Sequence, residues 1–222
     1  MTQADEFFEA IKTGDRIKVE QMLAAEPDLA RATIASGLSV VLLAAYYQEP
    51  VIAARLAAER DDLTIFEASA VGRERRVEAI LDADPAQLDA VADDGFTPLG
   101  LAAFFGQPEV VDLLLAHGAN VNLASHNPMR VAPLHSAVAQ RRIDIARRLI
   151  AHGADVNAAQ ADDFTPLHGA AQNRQAEMVE LLLMHGAHVN ARQGGGQTAL
   201  TLARAARADD VIALLEAAGA IE

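Results

Sequence analysis

Short apolar runs with helical spacing recur along the chain, and in the C-terminal half each run ends at a glycine. The clearest run covers residues 110–115, where apolar side chains fall on one face of a helix. Glycine ends a helix readily because it adopts the left-handed conformation without a steric penalty. The glycines that follow four such runs are Gly118, Gly153, Gly186 and Gly219. The pattern predicts a series of short helices.

A second pattern marks where helices begin. Thr97 and Thr165 precede Pro98 and Pro166, and a threonine side chain can accept the backbone N–H groups left free at a helix start. Proline suits the first helical position, since the N–H that it lacks would have no partner there. Thr198 keeps the threonine without the proline. Each segment is therefore predicted to run helix, turn, helix and extended loop.

This segment occurs four times in the C-terminal half of the chain. The positions that begin its first helix are Thr97, Ala132, Thr165 and Thr198, separated by 35, 33 and 33 residues. The first interval carries a two-residue insertion within 126–130. Such a fixed period is typical of solenoid proteins, in which each unit stacks on its neighbours.

The N-terminal half becomes regular when it is shifted by 58 residues. FEAIKTGDRIKVEQMLAAEP from Phe8 then aligns with FEASAVGRERRVEAILDADP from Phe66, and GLSVVLLAAYYQEP from Gly37 aligns with GFTPLGLAAFFGQP from Gly95. The alignment indicates a duplicated pair of units. A single domain over 1–222 is predicted, with seven units at about 1–34, 35–62, 63–92, 93–127, 128–161, 162–194 and 195–222.

The segments TPLH, LAA, LLL, HGA and DVN resemble the ankyrin repeat family, whose period and T-P-L-H-x-A signature they match. The resemblance extends over essentially the whole chain, but it is weaker in the first three units. There, residues 39–42 and 64–67 depart from TPLH, and Pro27 and Pro85 stand where glycine is expected. It implies an all-α solenoid of helix-turn-helix units with short β-hairpin-like loops. It also implies a non-enzymatic module that binds a protein or peptide in its concave groove.

Composition narrows the classes of protein further. Hydrophobic residues make up 51% of the chain, yet only nine residues are aromatic and none is Trp, so the core is predicted to consist mainly of Ala, Leu, Val and Ile. The absence of Cys excludes disulfides, thiol nucleophiles and thiolate zinc sites. No signal peptide or apolar run of about 20 residues is present, so we predict a cytoplasmic protein without a membrane partner.

Charge is distributed unevenly along the chain. The net charge of −13 arises almost entirely in residues 1–116, which hold 21 acidic and 9 basic residues and carry −12. This argues against nucleic acid as a partner, because phosphate binding requires lysines and arginines. Two interpretations are open: a solvated acidic surface, or a basic partner that docks on the N-terminal half.

The histidines follow the repeat. His117, His152 and His185 each precede a helix-ending glycine, and His135 and His168 occupy the last position of TPLH, where the resemblance implies bracing hydrogen bonds between units. We therefore predict no metal site and no cofactor. The neighbours His135 and Ser136 do not form a catalytic pair, since consecutive helical side chains point apart. No catalytic residues are predicted, and the chain is expected not to be an enzyme.

The aromatic residues give the candidate site. Tyr46, Tyr47, Phe104 and Phe105 end first helices, and Phe96 and Phe164 precede the threonine position. The resemblance implies that both locations face the groove, where aromatic side chains act as binding anchors. In the alternative interpretation they fill space between units, as we expect of Phe7, Phe8 and Phe66. The predicted partner-binding residues are Tyr46, Tyr47, Asp93, Asp94, Phe96, Phe104, Phe105, Asp162, Phe164 and Arg192.

Two other functions compete with this one. A small-molecule receptor or enzyme would need an enclosed pocket with convergent polar groups, which open solenoids seldom provide. A self-associating scaffold subunit would use an apolar face of the last unit, formed by Val211, Ile212, Leu214 and Leu215. We predict a monomer, with oligomerisation through that unit as the alternative.

Overall fold

The computed structural model describes residues 2–58 and 60–221, and within them it contains fourteen α-helices arranged in seven pairs. The first helices of the pairs are α1 (Gln3–Lys12), α3 (Val40–Tyr46), α5 (Ile65–Ala70), α7 (Pro98–Phe105), α9 (Pro133–Ala139), α11 (Pro166–Gln172) and α13 (Ala199–Ala205). The second helices are α2 (Arg16–Ala25), α4 (Pro50–Ala57), α6 (Glu74–Ala83), α8 (Pro108–Ala116), α10 (Ile143–Ala151), α12 (Ala176–Met184) and α14 (Asp209–Ala217).

The pairs stack in chain order, with first helices against first helices. From α5 to α13 each first helix packs on the next, and from α6 to α14 each second helix does the same. The core between them is built from small and aliphatic side chains. The leucines at the third position of TPLH in the last four pairs are all buried: Leu99, Leu134, Leu167 and Leu200. The prediction of an all-α solenoid is confirmed.

Helix starts are capped by the predicted side chains. Thr97 Oγ1 accepts a hydrogen bond from the N–H of Gly100 at 3.0 Å, and Thr198 Oγ1 accepts one from the N–H of Thr201 at 3.3 Å. At α11 the backbone N–H of Thr165 instead donates to Nδ1 of His168. Each bond satisfies a donor that has no partner within its helix.

Six of the seven second helices end in one of two ways. In the last four pairs the predicted glycines have φ near +87°, the left-handed conformation that closes a helix. In the first and third pairs, Pro27 and Pro85 begin short 3-10 helices, Pro27–Arg31 and Pro85–Gln87. Two hairpin loops are closed by isolated bridges, one between Thr33 and Ser39 and one between Arg192 and Thr198.

The turn that joins the two helices of a pair always contains a residue with positive φ. Three pairs have glycine there, at Gly14, Gly72 and Gly106, whereas the others have Gln48, Arg141, Arg174 and Arg207. A left-handed conformation costs a non-glycine residue about 1 to 2 kcal/mol. Because the pairs stack in register, the seven turns form one side of the solenoid, which we name the turn edge.

Among the described residues, the third pair has no hairpin on the side opposite the turn edge. The linker before α5 spans residues 58–64, half the length of the linkers before α3 (26–39) and α7 (84–97). A cavity of about 320 Å³ lies where the hairpin would stand, lined by residues that include Leu38, Phe66 and Asp93. Here Arg60 forms an ion pair with Glu67 at 2.8 Å, and both side chains are almost fully buried.

Among the described residues, no helix is both long enough and apolar enough to cross a lipid bilayer.

Candidate functional site

Aromatic side chains of the second and fourth pairs meet above the third pair. The ring centroid of Tyr46, at the end of α3, lies 5.1 Å from that of Phe105 and 6.1 Å from that of Phe104. Phe104 and Phe105 contact each other edge to face, with centroids 5.1 Å apart. The third pair has the small residues Ala70 and Val71 at the equivalent positions, so it leaves room for the rings to touch. Tyr46, Phe104 and Phe105 form the aromatic cluster.

The cluster is tied to the hairpin side of the fold. The Tyr46 hydroxyl donates a hydrogen bond to Oδ2 of Asp94 at 2.7 Å, and Oδ1 of the same carboxylate accepts the N–H of Phe96. Burial of the ring, together with this bond, raises the pKa of Tyr46 well above its usual range. The hydroxyl therefore stays protonated, and Tyr46 has one fixed orientation.

A pocket of about 340 Å³ opens beside the cluster, on the turn edge. Its walls include the three rings of the cluster and Val71, and its floor is made of alanines, among them Ala53, Ala54 and Ala70. The rim carries Gln48, Gln107, Gln140 and Arg142. The Gln107 side chain donates to the backbone oxygen of Ala70 at 2.9 Å, which fixes one side of the opening. The aromatic pocket thus combines aromatic and aliphatic lining residues with polar groups at its edge.

Exposed apolar residues continue this surface toward the N-terminus. Tyr47, at the end of α3, is 49% exposed, and Val51, in the first turn of α4, is 51% exposed. Ile17, at the equivalent position of α2, is 74% exposed. Val51 and Ile17 were not predicted from the sequence. Their signal was positional, since both lie three residues after the left-handed turn residue of their pair.

The structure divides the other candidate residues between two places. Phe96, Asp93 and Asp94 lie together at a hairpin tip, where they line a small cavity with Tyr46.

Phe164 is half-buried and stacks near the His168 ring, with centroids 5.5 Å apart. The remaining two, Asp162 and Arg192, are exposed on later hairpins. The backbone oxygen of Asp162 accepts the N–H of Gly194, and the Arg192 side chain donates to the backbone oxygen of Gly196. These three later residues do not line the aromatic pocket.

Two residues expected in the core are only partly buried. Phe7 is fully buried, whereas Phe8 and Phe66 pack against the core with part of each ring exposed. Phe66 faces the cavity left by the missing hairpin, so no neighbouring loop covers it. In the last pair, Val211 and Leu215 are fully buried, and Ile212 and Leu214 are half-buried. Most of the apolar face considered for self-association therefore packs inside the chain.

The histidines have structural surroundings. His117, His152 and His185 each place Nδ1 2.9 Å from the carbonyl oxygen four residues earlier, close to a helix C-terminus. Nε2 of His135 donates to the carbonyl oxygen of Phe164, and Nε2 of His168 donates to that of Ala191, so each ring bonds the next hairpin. Over residues 2–58 and 60–221, no group of three potential metal ligands comes together.

Burial perturbs the two inner histidines. Desolvation lowers the pKa of His135 to about 4, although its bond to Phe164 acts in the opposite direction. Desolvation also lowers the pKa of His168, against the effect of its backbone partners. Both rings are therefore neutral near pH 7, in the state that the bracing hydrogen bonds require.

Comparison with known proteins agrees with this architecture. Residues 65–160 match a family model described as ankyrin repeats (3 copies), and residues 159–203 match one described as ankyrin repeats (many copies). No curated protein matches the chain at a significant level. Ankyrin repeats are generally protein–protein interaction modules. The family matches, the repeat period and the stacked helix pairs together show that this chain belongs to the ankyrin repeat family.

Proposed function

We propose that the chain is a non-enzymatic, monomeric and cytoplasmic module that binds a protein or peptide through the aromatic pocket and the exposed residues beside it. The observation that carries the proposal is the pocket itself, a recess on the turn edge that is walled by three aromatic rings and rimmed by polar side chains. Its volume of about 340 Å³ lies at the small end of the range for ligand sites. It suits one large side chain of a partner better than a whole substrate.

The pocket has the properties of a binding anchor site. Aromatic walls bury much area with little loss of side-chain entropy, because the rings are already held by one another and by Asp94. The carboxamides at the rim offer donors and acceptors to a partner backbone. Exposed Tyr47 and Val51 extend the contact outward. Residues Asp162, Phe164 and Arg192, on the later hairpins, would contact only a partner that also crosses the groove.

The acidic charge of the N-terminal half says less about the partner than the aromatic pocket does. Several of its carboxylates are paired within the chain, including Glu20 with Arg55 and Asp62 with both Arg31 and Arg60. A basic partner on this half would have to use carboxylates that have no ion-pair partner among the described residues, such as that of Asp93 at its hairpin tip.

Filling the pocket tests the proposal without removing the rings. Ala54 is exposed at the pocket floor, so Ala54→Phe places a ring in the cavity at little cost to the fold. Immobilised wild-type and variant proteins would be incubated with extract of the native cells, and retained proteins identified by mass spectrometry. We expect the variant to bind the specific partner at least about tenfold more weakly than the wild-type protein, which equals a loss of about 1.4 kcal/mol of binding free energy. The amount of that partner retained should fall accordingly.

Ala24→Phe is the matched control, because Ala24 is equally exposed on the second helix of the first pair and lies outside the pocket. It should retain the partner as the wild-type protein does. Retention of the same proteins by Ala54→Phe at unchanged amounts would show that the partner does not enter the pocket.

A further inference from the structure

From the rim of the aromatic pocket onward, the turn edge carries four arginines: Arg141, Arg142, Arg174 and Arg207. All four are exposed, and within residues 2–58 and 60–221 none of them forms an ion pair. Other arginines of the same pairs behave differently, since Arg147, Arg148 and Arg204 are each paired with a carboxylate. The turn edge of the last three pairs is therefore a row of guanidinium groups that have no carboxylate partner among the described residues, and that of Arg141 donates a hydrogen bond to the backbone oxygen of Asn173.

The backbone shows that these arginines are placed at some cost. Arg141, Arg174 and Arg207 have φ values of 58°, 58° and 54°, where three earlier pairs have glycine. Strained residues kept at equivalent sites indicate a function for the side chain that glycine cannot supply. Charged, bidentate recognition of carboxylates is what an arginine side chain offers.

The row is continuous with the aromatic pocket. Gln140 and Arg142 line both the pocket rim and the first turn of the row. The Arg142 guanidinium lies over Gly106, where a Cβ atom would come within 2.6 Å of Cζ. Between the arginines stand the carboxamides of Gln140, Gln172 and Asn173. An extended peptide that leaves the pocket toward the C-terminus would meet amide and guanidinium groups in alternation.

We propose that this row binds the carboxylates of an acidic segment of the partner, whose apolar side chain occupies the aromatic pocket. The anchor part of this inference rests on the function proposed above, whereas the electrostatic part rests only on the arginines. Stacked helices lie about 10 Å apart, and an extended chain rises about 3.3 Å per residue, so successive arginines are about three peptide residues apart. Acidic side chains at that spacing would face them.

The charge pattern favours an acidic peptide over nucleic acid. Acidic residues begin the second helices three residues beyond the turn arginines, at Asp144, Glu177 and Asp210. The first two approach Arg148 and Arg147, and Asp210 accepts the N–H of Val211. They border the positive row along its length. A continuous phosphate backbone would be repelled by this border and by the net charge of −13, whereas separate carboxylates fit the narrow row.

Fluorescence anisotropy with a labelled peptide of one leucine followed by eight glutamates tests the inference. Arg141→Gln/Arg174→Gln should raise the dissociation constant about tenfold, since two charged contacts are lost. Gln48 already holds the same left-handed conformation, so glutamine is compatible with the fold. Arg16→Gln/Arg75→Gln, at exposed second-helix positions, changes the net charge equally and should change the constant less than about twofold.

Four results would overturn the inference. The first is that both double variants weaken binding of the glutamate probe equally, and the second is that a probe with glutamine in place of glutamate binds the wild-type protein as tightly. The third is that the glutamate probe does not bind at concentrations up to about 1 mM. The fourth is that an oligothymidylate binds more tightly than the glutamate probe and depends on the same arginines. Changing the probe leucine to alanine separates the two proposals. If that change has no effect while the arginine variant still weakens binding, the pocket fails as an anchor site and the arginine row stands.

Discussion

Glu67→Ala should lower the free energy of unfolding by about 2 to 3 kcal/mol, because it removes the buried counterion of Arg60 and leaves only the half-exposed Asp62 as its ion-pair partner among the described residues. The Glu67 carboxylate lies 2.8 Å from Arg60 Nη1 and also accepts the backbone N–H of Thr64 at 2.9 Å. The two side chains are 3% and 8% exposed, so their ion pair is little screened by water. The substitution also removes half of the capping arrangement at the start of α5.

Urea denaturation followed by circular dichroism measures this loss. Glu177→Ala is the matched control, since Glu177 pairs with Arg147 at 3.1 Å but both side chains are more than half exposed. It should cost less than about 1 kcal/mol. A similar loss for the two variants would mean that burial of the Arg60–Glu67 pair contributes nothing special to the fold.

The stability of the protein should fall by about 3 kcal/mol between pH 6.5 and pH 4 through His135 alone. Burial lowers the pKa of this residue from 6.5 to about 4 in the folded chain. Within that window the unfolded chain takes up a proton and the folded chain does not, so acid favours unfolding. Above pH 6.5 both states are neutral and this contribution is fully present.

His135→Gln isolates the effect, because glutamine can still donate a hydrogen bond toward the Phe164 carbonyl but does not titrate. The unfolding free energy of both proteins would be measured from pH 7.5 to pH 4. We expect the wild-type curve to fall more steeply, by up to about 3 kcal/mol over the window. The variant keeps the smaller acid sensitivity of His168. Parallel curves would contradict a neutral, buried His135.

The fold was predictable from sequence because each repeat contains the residues that begin and end its own helices. Thr97 and Pro98 specify the start of α7, and Gly118 specifies the end of α8. These features act within a few residues, and the period repeats them. The resemblance to the family rests on motifs that are local in sequence, so the solenoid could be predicted without knowledge of contacts between distant residues.

The candidate site was only partly predictable, because it depends on contacts between units. The aromatic residues were found by their equivalent positions, but the contact of Tyr46 with Phe105 requires the small Ala70 between them. The bond from Tyr46 to Asp94 joins residues 48 positions apart. The short interval of 25 residues from Ser39 to Thr64 was the available signal that a hairpin is missing there.

The Arg60–Glu67 pair was missed for a related reason. Glu67 occupies the position at which other units have His135 and His168, so the sequence showed only a weakened signature. In the structure, one interaction that connects neighbouring units takes the place of another. A histidine that bonds the next hairpin is replaced by a carboxylate bonded to Arg60, which itself donates to the carbonyl oxygen of Ala30.

Photo-crosslinking from Tyr47 tests the central claim, that the partner binds over the aromatic pocket. The photoreactive residue p-benzoylphenylalanine would replace Tyr47, beside the pocket, or Met184, which is 69% exposed on α12. After irradiation in native cell extract, we expect a defined covalent adduct from position 47, no corresponding adduct from position 184, and loss of the first adduct when Ala54→Phe fills the pocket. An adduct from position 184 but not from position 47, or one from position 47 that survives Ala54→Phe, would contradict the account.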